Sequence, residues 1–143
     1  MPWQLELHGP VFVDTSAFFA MAVRRDQHNR AAHELRRRLV TERTSLVTSN
    51  FVAAELHALM LTRIGANEAN EVLRELDKSD TAILRANLAD ELRARDIVRR
   101  FADHQYSLTD AISFAVMDRL GFRRAFTFDD HFARYGITIP VEI

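Results

Sequence analysis

The chain has 143 residues, 48% of them apolar, and a formal net charge of -1 from 19 basic and 20 acidic side chains. That length and apolar content suit one domain with a sizeable core, and the near-neutral balance excludes a strongly basic coat while leaving room for a local basic groove. The absence of cysteine excludes disulfide frameworks and thiolate metal sites, and no stretch approaches the roughly 18 uninterrupted apolar residues of a membrane helix.

Residues 1–10 have neither a basic start nor a long apolar run and do not read as a signal peptide. They are expected to be an extension without catalytic role, attached to a single domain within 1–143 of a cytoplasmic protein. Val11-Phe12-Val13 follows the turn signal Gly9-Pro10 and reads as a buried strand. Asp14-Thr15-Ser16 offers N-caps for a helix over Ala17 to Val23. A second helix runs from Asp26 or His28 to about Val40, with Ala31, Ala32, Leu35 and Leu39 inward. Ser45 to Thr48 is the second strand, Ser49 and Asn50 are caps, and Phe51 to Ile64 is a helix stopped by Gly65. A helix over Asn67 to Asp77 and a strand over Thr81 to Leu84 follow. Leu88 to Phe101 is helical, with Leu92, Ile97, Val98 and Phe101 as its apolar side. Ser107-Leu108-Thr109 caps a helix from Asp110 to Leu120, and Ala125 to Phe128 is the fourth strand. Asp129 to Tyr135 is a short helix or turn, and Ile137 to Ile139, before Pro140, is a last edge strand. Short apolar strands alternating with amphipathic helices define an α/β chain with a mostly parallel central sheet between helices.

Four acidic residues occupy unusual places in this pattern. Asp14 and Asp129 directly follow buried strands, and ligands of open parallel sheets bind beyond the strands' carboxyl ends. Glu55 shares a helix face with Phe51, Val52, Ala58 and Leu59, where a charge is costly unless paired or bound to metal. Asp110 opens a helix whose first turn points at the same cleft. Crowded carboxylates repel one another, and a hard divalent cation relieves that repulsion. Oxygen donors without cysteine or paired histidines suit Mg²⁺ or Mn²⁺ rather than zinc. Taken singly, each acid has a plainer explanation: a cap for Asp14 or Asp110, an ion pair with Arg63 or Arg24 for Glu55, a turn for Asp129-Asp130. Which of Asp129 and Asp130 points inward stays open. The histidines form no His-Glu-x-x-His pair, and neither a nucleophile elbow nor a phosphate-binding glycine loop is present. His57 points away from Glu55, and His131 lies close enough to Asp129 to touch a substrate. Among the arginine runs, Arg24-Arg25 is the best candidate for phosphate contact because it follows the helix that starts at Asp14.

The blocks Val11-Phe12-Val13-Asp14-Thr15-Ser16-Ala17-Phe18, Thr48-Ser49-Asn50-Phe51-Val52-Ala53-Ala54-Glu55-Leu56, Ser107-Leu108-Thr109-Asp110-Ala111-Ile112-Ser113 and Phe126-Thr127-Phe128-Asp129-Asp130-His131-Phe132 resemble, in order and spacing, the four motif blocks of PIN domains. They are most similar to those of VapC-type toxins. The resemblance implies a three-layer α/β/α fold and a metal-dependent endoribonuclease. It further implies a homodimer acting on transfer or ribosomal RNA and restrained by a cognate antitoxin. Carried over, Asp14 and Asp110 are the main ligands of Mg²⁺ or Mn²⁺. Glu55 and Asp129 complete the acidic cluster, Asp129 also as a ligand, and Ser16 and Thr127 orient carboxylates. A housekeeping nuclease of RNA processing and a non-catalytic binding module are the alternative readings.

Overall fold

Val11–Val13 (β1) is buried along its whole length, as a strand flanked on both edges and covered on both faces must be. The computed structural model that shows this describes residues 9–139. Most of the N-terminal extension expected from the sequence lies outside that range. β1 leads into α1 (Thr15–Ala22) and α2 (Asn29–Thr41). Then come β2 (Leu46–Ser49), α3 (Asn50–Arg63), α4 (Ala66–Lys78) and β3 (Ala82–Leu84). The chain continues through α5 (Leu88–Arg100), a 3₁₀ turn at Ala102–His104, α6 (Leu108–Leu120), β4 (Arg124–Phe126) and α7 (His131–Tyr135). The sheet order is β3-β2-β1-β4, and every pairing is parallel.

The two-residue period of β1 builds the layers. Phe12 points to one face, where it packs with Val47, Ala125 and the inner sides of α5 and α6, among them Ala94, Ile97, Phe114 and Met117. Val11 and Val13 point to the other face, against Ala17 and Ala20 of α1, Ala32, Leu35 and Leu39 of α2, and Phe126. A smaller cluster of Leu56 and Met60 from α3 and Ala69 from α4 packs with Phe18 and Phe19. The result is the three-layer α/β/α arrangement expected from the sequence. Between α5 and α6, the buried Asp90 receives two bonds from Arg119, at 2.8 and 2.9 Å, and also closes a capping box with Asn87.

Three elements differ from their sequence-based outlines. β4 ends at Phe126, not Phe128, because Thr127 and Phe128 leave the sheet to bond side chains near Asp14. The last edge strand is reduced to one parallel bridge between Thr138 and Arg124. Leu92 and Phe101 are not on the inner side of α5: they are 54% and 39% exposed. The buried positions Asp90, Ala94 and Ile97 define that side, and Leu92 lies two residues from both Asp90 and Ala94, on the opposite face.

Phe12→Ala, which empties the densest side of the core, is expected to cost about 3–5 kcal/mol. Val40→Ala, at a position 57% exposed, should stay within about 0.5 kcal/mol of the parent chain. Urea unfolding of both variants measures this. Similar losses for the two would contradict the layer assignment.

Candidate active site at the carboxyl edge of the sheet

The chain leaves β1 toward β2 and β3 on one side and returns with β4 on the other. The crevice beyond the ends of β1 and β4 is therefore the switch point at which open parallel sheets bind ligands. Asp14 follows β1 at once and is only 3% exposed. It is also the N-cap of α1, accepting from the Ser16 amide, so capping and a place in the cleft are not exclusive roles.

Two hydroxyls hold this carboxylate. Ser16 Oγ and Thr127 Oγ1 each donate to Asp14 Oδ2 at 2.9 Å. Each hydroxyl accepts in turn from the backbone beyond β4: Phe128 N gives to Ser16 Oγ at 2.9 Å and Asp129 N to Thr127 Oγ1 at 3.0 Å. Both hydroxyl protons are thus committed to Asp14, and the 3.1 Å between the two hydroxyl oxygens follows from their shared acceptor. With Asp14 N bonded to Phe126 O at 3.0 Å, this knot ties the end of β1 to the end of β4. Burial, and next the charge of Asp110, push the Asp14 carboxyl up to about 6 in spite of these bonds.

Asp110 stands in the first turn of α6, where its amide donates to the N-cap Ser107 at 3.0 Å. It is 6% exposed. Burial raises its pKa, the hydrogen bond from His131 opposes that, and the charges of Asp129 and Glu55 raise it further. Asp129 Oδ1 accepts from the His131 amide at 2.9 Å, an Asx turn that brings two side chains to one side. His131 Nδ1 then lies 3.0 Å from Asp110 Oδ2 and 3.4 Å from Asp129 Oδ1. The bond to Asp110 raises the pKa of the imidazole. Asp130 turns outward and pairs with Arg134 at 2.8 Å, so Asp129 is the inward member of the pair.

Glu55 is half-buried on α3, close enough for its charge to act on Asp110, and no ion pair involves it among the described residues. Charge thus couples Asp110 to Asp14, Asp129 and Glu55, with Ser16 and Thr127 bonded to Asp14, while the donor atoms near enough to share one ion are those of Asp110, Asp129 and His131. Arg24 and Arg25 stand apart from this group: both are exposed in the turn beyond the far end of α1, a helix about 12 Å long. His57 turns to Asn70 at 3.4 Å and stays apart from the cluster.

Asp110, Asp129 and His131 can together hold a metal ion, since one donor atom from each lies within 4.8 Å of the others. His131 enters this group more firmly than its sequence position suggested. The available signal was the two-residue step from Asp129, the spacing of an Asx turn.

Comparison with known proteins agrees with the fold. The PIN domain family profile matches residues 11–137. The ribonuclease VapC26 of Mycobacterium tuberculosis is 30% identical over 119 residues, spanning 83% of this chain and 86% of that protein. The 23S rRNA-specific endonuclease VapC20 of the same organism is 32% identical over 129 residues, spanning 88% and 94%. The crystal structure of VapC20, described as a toxin that cleaves the sarcin-ricin loop, superposes with a TM-score of 0.80 at 28% identity, covering 90% of this chain and 96% of that one. DNA-bound VapBC of Salmonella typhimurium shares the fold at a TM-score of 0.68 and 14% identity, covering 92% and 96%.

The raised Asp14 pKa sets a pH test. The folded chain binds this proton more tightly than the unfolded chain does. The resulting stabilisation is full below pH 3.8 and is lost as pH rises through about 6. Asp14→Asn, a neutral carboxamide in the same place, should remove the loss. Between pH 4 and 7 the metal-free parent is expected to lose about 2 kcal/mol more than the variant. Parallel stability curves from urea titrations would contradict the burial of this charge.

Proposed function

The chain belongs to the PIN-domain family, and from that premise we propose that it is a divalent-metal-dependent endoribonuclease, the toxin of a type II toxin–antitoxin pair. The observation that supports the reading is the set of donor atoms from Asp110, Asp129 and His131 within 4.8 Å of one another, with Asp14 and Glu55 close enough for charge to couple them to Asp110. Relatives at 30% and 32% identity are named as a ribonuclease and an rRNA endonuclease.

Asp14, Asp110 and Asp129 are the residues proposed to hold Mg²⁺ or Mn²⁺. Their oxygens fit a hard cation, and such a charge offsets the burial, and after it the crowding, that raise the pKa of Asp14 and Asp110. When bound, a divalent cation supplies positive charge against the negative charge that gathers on the phosphate during hydrolysis. In that reaction water oxygen bonds to phosphorus and the bond from phosphorus to a ribose oxygen breaks. Ser16 and Thr127 fix the Asp14 carboxylate by bonding Oδ2, so it need not reorganise as substrate enters. Asp129 is fixed in the same manner by the His131 amide. Glu55, whose charge reaches Asp110 from α3, is proposed to complete the field that orders the attacking water.

The substrate class is structured RNA, transfer or ribosomal, and VapC20, an rRNA endonuclease, covers nearly its full length on this chain. Arg24 and Arg25 are proposed to meet phosphates flanking the cleavage point, because they are exposed beyond the far end of the helix that Asp14 caps. A cytoplasmic location, a cognate antitoxin and a homodimer belong to the same proposal. For the homodimer, the exposed Leu88 and Leu92, one turn apart on α5, offer apolar surface to a second copy. No helix of the described residues is long and apolar enough to cross a membrane.

Asp14→Asn and Asp110→Asn are each expected to lower RNA cleavage by a factor on the order of 10² or more and to abolish growth arrest on induced expression. Arg24→Ala with Arg25→Ala should weaken RNA binding and its salt dependence while leaving the cut position unchanged. Sequencing of RNA ends after induction, with purified protein assayed alongside, measures both. Undiminished cleavage by Asp14→Asn would overturn the assignment.

A further inference from the structure

We infer that the His131 imidazole is a ligand of the cation proposed above, making with Asp110 and Asp129 a mixed nitrogen and oxygen set that favours Mn²⁺ over Mg²⁺. The inference rests on the metal-dependent reading of the site and adds the identity of a donor to it. Adjacent ligands of an octahedral ion at 2.0–2.1 Å stand about 3 Å from each other. His131 Nδ1 stands 3.0 Å from Asp110 Oδ2 and 3.4 Å from Asp129 Oδ1. The three donor atoms all fall within 4.8 Å of one another, the span of a shared ion.

The ring is held in this place from two sides. Its own amide is bonded to Asp129 at 2.9 Å, which fixes the backbone. The imidazole and Tyr106 meet in a T-shaped contact at 5.4 Å and 80° between planes, and Tyr106 is itself braced by Phe114 in a T-shaped contact at 5.1 Å. Nδ1 is thus presented to the carboxylates without any rotamer change. The side chain keeps 24% of its surface exposed, so the ion need not pass through the core to reach it.

A purely hydrogen-bonding His131 would place the same atoms near each other, and chemistry separates the two cases. A nitrogen ligand helps Mn²⁺ and the later divalent metals more than it helps Mg²⁺, which prefers oxygen and water. A histidine that only orients Asp110 would help both ions alike.

The test uses the full-length protein and the metal ions themselves. Electron spin echo spectra of the Mn²⁺-loaded parent should show coupling to ¹⁴N that is replaced by the ¹⁵N pattern on histidine labelling. Calorimetric titration with Mn²⁺ and Mg²⁺ should then show that His131→Gln lowers the Mn²⁺ to Mg²⁺ affinity ratio about tenfold. Asp110→Asn should remove binding of both ions. Mn²⁺ that binds, depends on Asp110 and shows no nitrogen coupling would overturn the inference and leave the metal site standing. Binding that His131→Gln weakens equally for the two ions would also overturn it, reducing His131 to a positioning residue. Failure of the parent to bind either ion would overturn the metal site and this inference together.

Discussion

Desolvated negative charge at the carboxyl edge of the sheet is the constraint on which the rest of the molecule depends. A carboxylate buried as deeply as Asp14 is costly unless other groups stabilise it. Here the stabilisation is local and directional: two hydroxyls on Oδ2, each relayed from a backbone amide beyond β4. Hydrogen bonds of that kind lower the cost without cancelling it, and the carboxyl still sits near 6. The balance is left to whatever cation enters the crevice.

The architecture serves that arrangement. β1 is flanked by partners on both edges and covered on both faces, so its end is a rigid point. Bonds from the residues after β4 to Asp14 and Ser16 require β4 to stop early, and the two lost ladder positions are replaced by side-chain partners. The N-cap of α6 orients Asp110 from one side, and the Asx turn at Asp129 orients His131 from another. Asp14, Asp110 and Asp129 are therefore each held at the end of a regular element, which is more exact than a mobile loop would allow. The aromatic stack of Phe114, Tyr135 and Tyr106 behind His131 extends the same rigidity into the core.

Much of this could be read in the sequence because the relevant signals are short-range. Val11-Phe12-Val13 followed by Asp14 announces a buried strand with a charge at its mouth, and Ser107 with Asp110 announces a helix start. Glu55 could be singled out because four apolar neighbours share its helix face, although the structure leaves Ala58 exposed and Phe51 and Leu59 half-buried. What local reasoning missed is tertiary in origin. Leu92 and Phe101 look like core residues by type, yet the inner side of α5 is set by the small Ala94 and by Asp90, a charge that its distant partner Arg119, together with the Asn87 amide, makes tolerable. Phe128 looks like a strand residue until Ser16, 112 positions away, takes its amide. The choice between Asp129 and Asp130 depended on Arg134 and on Asp110, neither of which adjoins the pair in sequence.

An anomalous-scattering map from crystals soaked in Mn²⁺ tests the central claim most directly. One dominant peak is expected in the crevice beyond β1 and β4, within coordination distance of carboxylate oxygens from both Asp110 and Asp129 and facing Asp14. A map with no peak there, or with its dominant peak against carboxylates elsewhere on the surface, would contradict it.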